Sequence, residues 1–196
     1  MSTAPAHKPA TLADYLALPA HSRAELISGV LHEREATGPR HGRAVLRLGA
    51  SVGRRFDRRP GGRHPGGWWI VTDVAVRFGD DVLRPDLAGW RRERCASFPD
   101  QRPVTIRPDW VCEIVSPSNA RTDRVEKLRL YHRAGVPHYW LIDPDEQTLT
   151  VFRHADAGYV VALTALADET VTPEPFDAMQ FPVANLFADE PLDDDA

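Results

Sequence analysis

The chain has 196 residues, 42% of them hydrophobic, and a formal net charge of -4, which suits one domain with a sizeable core and argues against a general nucleic-acid coat. No run of 18 or more apolar residues is present to span a bilayer, and the opening MSTAPAHKPA lacks the apolar stretch of a secretory signal, so a cytoplasmic protein without a membrane partner is expected. Cys95 and Cys112 have neither metal-site spacing nor a CxxC arrangement, which excludes a zinc ribbon and a dithiol redox centre.

Residues 1–10 read as a flexible leader, after which TLADYLALP predicts a short amphipathic helix capped by Thr11 and stopped by Pro19. AELISGVLHERE predicts a strand, a turn at Ser28-Gly29 and a second strand, while Ala44, Val45, Leu48, Val52 and Phe56 recur at helical spacing. GGRHPGG breaks the chain before the strand run WWIVTDVAVRF, and Gly79-Asp80-Asp81 predicts a hairpin turn into VLRPDLAGW. A loop from Arg91 to Arg107 leads to the strand WVCEIV. The helix beyond it has the capping-box spacing of Asp123 and Glu126, an inward stripe of Val125, Leu128 and Tyr131, and Gly135 at its end. VPHYWLID then predicts a strand, so residues 109–143 form a strand, helix, strand crossover with parallel strands. TLTVFRH and GYVVALTAL extend the sheet, and a short amphipathic PVANLFAD precedes the acidic end DEPLDDDA. The expected fold is α/β, a mixed β-sheet flanked by helices, in a single domain over residues 11–188 with a disordered acidic tail at 189–196.

Charge is unevenly distributed. Residues 40–64 hold eight arginines against Asp57 alone, whereas residues 139–196 hold thirteen acids against Arg153 alone. Such an arginine cluster fits a phosphate-binding face and fits a solvated helix face about equally well. Of the 24 basic residues, Lys8 and Lys127 are the lysines, which makes Lys127 a candidate for chemistry that needs a compact ammonium.

Glu113 lies within WVCEIV, where burial of a carboxylate costs several kcal/mol unless a cation meets it. Alternation places Glu113 with Asp109, Val111 and Val115, opposite Trp110, Cys112 and Ile114. Asp109 is about 13 Å away along the strand, too far to share an ion. Asp86, which also interrupts an apolar run, is the better second carboxylate. Two converging carboxylates repel unless a divalent cation of hard oxygen preference satisfies both, and magnesium is the natural one. For Lys127, spacing alone favours an i, i+4 pair with Asp123. Glu25 carries low weight, since it can pair or cap locally.

The segments RPDLAGW and RPDWVCEIVSPSNARTDRVEKLRLYHRAGVPHYWLIDPDEQTLTVFR, with AELISGVLHE and His41 upstream, resemble the Uma-type restriction endonuclease family, a branch of the PD-(D/E)XK nuclease superfamily. The resemblance implies a restriction-endonuclease-like core, a DNA substrate, Asp86 and Glu113 as ligands of Mg2+ or Mn2+, and Lys127 assisting them. A homodimer follows by the same analogy. Arg40, His41 and Arg43 are candidates for substrate phosphate, with a cap-region role for His41 as the alternative. Ser116 and Ser118 are expected to shape the strand-to-helix turn. The superfamily's usual lysine two residues after the second acid would fall at Val115, so Lys127 would act from the helix. A second expectation, from a different class, is a catalytically silent nuclease-like module that binds nucleic acid or assembles.

Overall fold

The computed structural model describes residues 8–34, 37–98, 100–116 and 122–188, with residues 122–124 described by their backbone alone. Ser118 and the tail at 189–196 lie outside the described residues, as does most of the expected leader.

Helix α1, Leu12–Leu16, opens on a reciprocal cap: the Thr11 N–H donates to Asp14 at 2.7 Å and the Asp14 N–H to Thr11 Oγ1 at 3.3 Å. Strands β1, Glu25–Ile27, and β2, Val30–His32, pair antiparallel around the Ser28-Gly29 turn. The amphipathic stretch forms α2, Pro39–Phe56, and buries Ala44, Leu48, Val52 and Phe56. The glycine-rich loop closes its end: the Gly66 N–H donates to the Arg55 carbonyl at 3.1 Å and the Gly67 N–H to the Arg58 carbonyl at 2.7 Å. Gly66 has φ +63, and a Cβ there would lie 2.3 Å from the Arg59 carbonyl oxygen, so only glycine fits.

Strands β3, Trp68–Thr72, β4, Val76–Phe78, and β5, Asp81–Leu83, follow, with the β4–β5 hairpin turning at Gly79 as expected. VLRPDLAGW divides between two sheets. Its first residues belong to β5, the chain breaks at Arg84-Pro85, and β6, Leu87–Arg91, joins the other sheet. Proline carries no N–H for a ladder, which accounts for the break. Strand β7, Trp110–Ile114, is followed by a π-helical turn over Thr122–Lys127, helix α3, Leu128–Arg133, and strand β8, His138–Asp143. Strands β7 and β8 run parallel, as the crossover requires. Strands β9, Thr148–Ala155, and β10, Gly158–Leu166, then pair antiparallel. A two-stranded ribbon of β11, Thr170–Val171, and β12, Phe181–Pro182, leads to a 3-10 turn at Val183–Leu186.

The larger sheet has the order β10-β9-β8-β7-β6-β3 and the smaller β2-β1-β5-β4. On one face of the larger sheet, α2 and the C-terminal segment cover Trp68, Trp110, Cys112, Trp140 and Ile142, with Phe176 and Phe181 among them. On the other face Ala88, Trp90, Val111 and Tyr139 pack with Leu130 and Tyr131 of α3 and with Phe78 and Leu83 of the smaller sheet. This is an α/β fold with a mixed sheet flanked by helices. No helix among the described residues is long and apolar enough to cross a membrane.

The inward stripe of the crossover helix differs from the expected one. Val125 is 40% exposed, whereas Lys127 is 2% exposed and Leu130 and Tyr131 are buried. The inward face therefore follows residues 127, 130 and 131. A π-helical turn spends an extra residue per turn, which displaces the face from 125. The Asp123 side chain that the capping box and the i, i+4 pair require lies outside those described.

Candidate active site

The β6–β7 ladder ends with Leu87 opposite Cys112, which leaves Asp86 and Glu113 as the next residues beyond it. Strand β6 leaves the ladder here because of Pro85. In its place the Asp86 side chain turns back, and its Oδ2 accepts the Ile114 N–H at 2.8 Å. The same Oδ2 lies 3.0 Å from His41 Nε2, and Oδ1 accepts from the Arg34 guanidinium at 2.8 Å. Burial opposes ionisation of Asp86, but the His41 hydrogen bond, the Arg34 charge and the Ile114 N–H overcome it and bring the pKa down to about 2.

Glu113 is fully buried and faces α3. Its Oε1 accepts from the Tyr131 hydroxyl at 2.5 Å and lies 3.2 Å from Lys127 Nζ. Lys127 and Tyr131 are four residues apart, on one helix face, which is why both reach the same carboxylate. Lys127 Nζ is also 3.0 Å from Glu25 Oε1, and that oxygen accepts the Arg84 N–H at 2.6 Å. Burial first, then Glu113 and Glu25, push the Tyr131 hydroxyl well above its ordinary range and keep it a donor. Burial works against the Arg34 charge too, but Asp86, Glu113 and Glu25, in that order, hold the guanidinium firmly charged. The Cys112 thiol is pushed up by burial and then by Asp86 and Glu113, so no nucleophilic thiolate forms there.

Asp86, Glu113 and Lys127 therefore belong to one buried cluster. Arg40 and Arg43 stand apart from it. Arg40, whose side chain is 81% exposed, pairs with Asp145 at 3.1 Å, and Arg43 donates to the Ala188 carbonyl at 3.2 and 3.0 Å. The two flank a cavity of about 390 Å³ shared with Asp145, Gln147 and Phe187. His41 is buried against Asp86 and does not share that cavity.

Glu25 and Arg34 hold central places that sequence reasoning underrated or missed. Glu25 gave a signal, since it is a carboxylate beside Leu26 and Ile27 in a strand, the same anomaly that singled out Glu113. Arg34 gave none: it follows β2 in a stretch without periodicity. Among the described residues, no three His, Cys, Asp or Glu side chains gather closely enough to hold a metal by themselves.

A solved structure from Anabaena variabilis ATCC 29413, described as a putative nuclease belonging to DUF820, is similar with a TM-score of 0.70 at 24% identity, over 91% of this chain and 98% of that one. At that identity the likeness carries the fold. No curated protein matches the chain. The model of the Uma2 family, described as "Putative restriction endonuclease", matches residues 12–184, and the chain belongs to that family.

Proposed function

We propose that the protein is a metal-dependent endonuclease that hydrolyses DNA phosphodiester bonds, with Asp86 and Glu113 holding Mg2+ or Mn2+ and Lys127 assisting. The observation that carries this is that Lys127 Nζ lies 3.2 Å from Glu113 while Asp86 accepts the N–H of the next residue, Ile114, at 2.8 Å, on the scaffold of a restriction-endonuclease family. Buried ion pairs are seldom more stabilising than apolar packing of the same volume, so a cluster of three carboxylates at this depth calls for a use beyond stability.

The donor set fits a hard cation. Asp86 and Glu113 supply carboxylate oxygen, and magnesium commonly takes one or two carboxylates together with several waters and phosphate oxygens. When bound, such a cation polarises the scissile phosphate and lowers the pKa of a coordinated water. The chain's own groups then do the rest. Lys127 offers its ammonium to the phosphate oxygens as they gain charge, or orients the attacking water, from a position already fixed by Glu25 and Glu113. Tyr131 holds Glu113 in place, and His41 does the same for Asp86. Arg40 and Arg43 are proposed contacts to flanking phosphates. A cytoplasmic homodimer acting on duplex DNA completes the proposal.

Supercoiled plasmid is expected to be nicked in Mg2+ or Mn2+ and left intact in EDTA. Cleavage that persists in EDTA, or no cleavage with either metal, counts against the assignment. Val115, buried where the superfamily lysine would stand, favours a second reading in which the fold is retained as a silent binding or assembly module. That reading predicts no metal-dependent rise in Tm, and a rise with Mn2+ that vanishes in Asp86→Asn removes it.

A further inference from the structure

Arg34 sits where the proposed metal would need to be. Asp86 Oδ2 already serves both the Ile114 N–H and His41 Nε2, at 2.8 and 3.0 Å. The oxygen left for a cation is Oδ1, and the Arg34 guanidinium is on it at 2.8 Å, with a side chain that is 6% exposed. A guanidinium and a divalent ion cannot share that oxygen without placing three positive charges against it.

A second anchor for Arg34 lies alongside. Its Nη1 is 3.6 Å from Asp73 Oδ1, too long for a hydrogen bond but within one small side-chain movement of it. The same Nη1 donates to the Arg84 carbonyl at 2.8 Å, which gives the head group a pivot. Asp73 is fixed at the neighbouring corner of the sheet, because its N–H donates to the Asp86 carbonyl at 3.1 Å. Its side chain is 40% exposed and also meets Arg84 Nε at 3.2 Å and Arg23 at 3.3 Å. Asp73 thus stands outside the buried cluster and touches none of the proposed metal ligands through its side chain.

We propose that Arg34 is a resident counter-cation at Asp86 that passes to Asp73 when a divalent metal enters. The proposal rests on the metal-dependent reading of the site and adds a regulating residue to it. Without metal, the Arg34 guanidinium offsets the charge of the buried Asp86 carboxylate on Oδ1. With metal, the exchange frees Oδ1 and keeps the guanidinium beside the site, paired with Asp73. Metal uptake is therefore weakened by Arg34 and assisted by Asp73, although neither ligates the ion.

The test is Mn2+ binding, read from the free Mn2+ signal in electron paramagnetic resonance titrations of the full chain without DNA. Arg34→Gln is expected to bind Mn2+ more tightly than the wild type, and Asp73→Asn more weakly, each by about ten-fold, an ordinary coupling between sites. In the Arg34→Gln background, Asp73→Asn should change nothing. An Asp73 effect that persists there in full is a general loss of negative charge and overturns the hand-over. Should Arg34→Gln fail to fold, Asp73→Asn decides alone, since asparagine keeps the shape and tolerates the φ of 50 at this position. Wild-type affinity in Asp73→Asn, with uptake still abolished by Asp86→Asn, overturns the proposal and leaves the metal site standing. No Mn2+ uptake by the wild type or any variant overturns both.

Discussion

Glu113 shows how far a single residue can be read. Its place in an apolar strand marked it, and alternation put it on the face of Val111 and away from Cys112, where the structure has it. Spacing alone did not reach its partners, because a buried carboxylate is satisfied by whatever cation the tertiary fold brings up; the family resemblance supplied Lys127. Local spacing pointed Lys127 towards Asp123, whose side chain lies outside those described, and the ammonium lies 3.0 Å from Glu25 and 3.2 Å from Glu113. Lys127→Ala strips the cation from those two acids and is expected to cost about 3–5 kcal/mol, measured by urea unfolding. His138 gives a separate expectation. Burial, opposed by Glu174, lowers its pKa below 6.5, so the native state binds fewer protons than the unfolded one. Stability present above the unfolded pKa is then lost as pH falls through the lower folded value. Unfolding free energies taken between roughly pH 7 and pH 5 should fall less steeply in His138→Gln than in the wild type.

Elements were legible wherever a local signal decided them. The cap at Thr11, the periodicity of α2 and the turn at Gly79 are all local, and each element forms as expected. The crossover helix was legible in existence and misplaced in face: the π-helical turn that brings Lys127 inward leaves no mark in composition. VLRPDLAGW hides its division between two sheets for a similar reason, since only the proline hints at it. Strand β6 carries a further constraint at Gly89. A Cβ there would lie 3.1 Å from both Ile70 Cδ1 and Trp110 Cε3, and 3.2 Å from Trp68 Cε3. Gly89→Ala is expected to destabilise by about 1–3 kcal/mol through crowding, with a matching fall in the urea midpoint.

On the scale of the whole molecule, the order of strands and helices sufficed for an α/β mixed sheet, because a strand, helix, strand crossover admits few arrangements. The site was only partly legible, because it lies where the two sheets part. Glu25 comes from the smaller sheet and Glu113 from the larger, Asp86 follows the break between them, Arg34 comes from the segment after β2, and Lys127 from the π-helical turn. No spacing rule connects residues 25, 34, 86, 113 and 127; two sheets meeting at a proline do. The same junction explains why the acids are buried and yet adjacent to strand ends. The most direct measurement is the rate of Mn2+-dependent nicking of supercoiled DNA by Glu113→Gln beside the wild type, both confirmed folded by circular dichroism. A loss of at least about 100-fold in the variant is predicted, the scale seen when one charge-stabilising group is removed from a site of this kind. Equal rates would contradict the assignment of Glu113 to the metal.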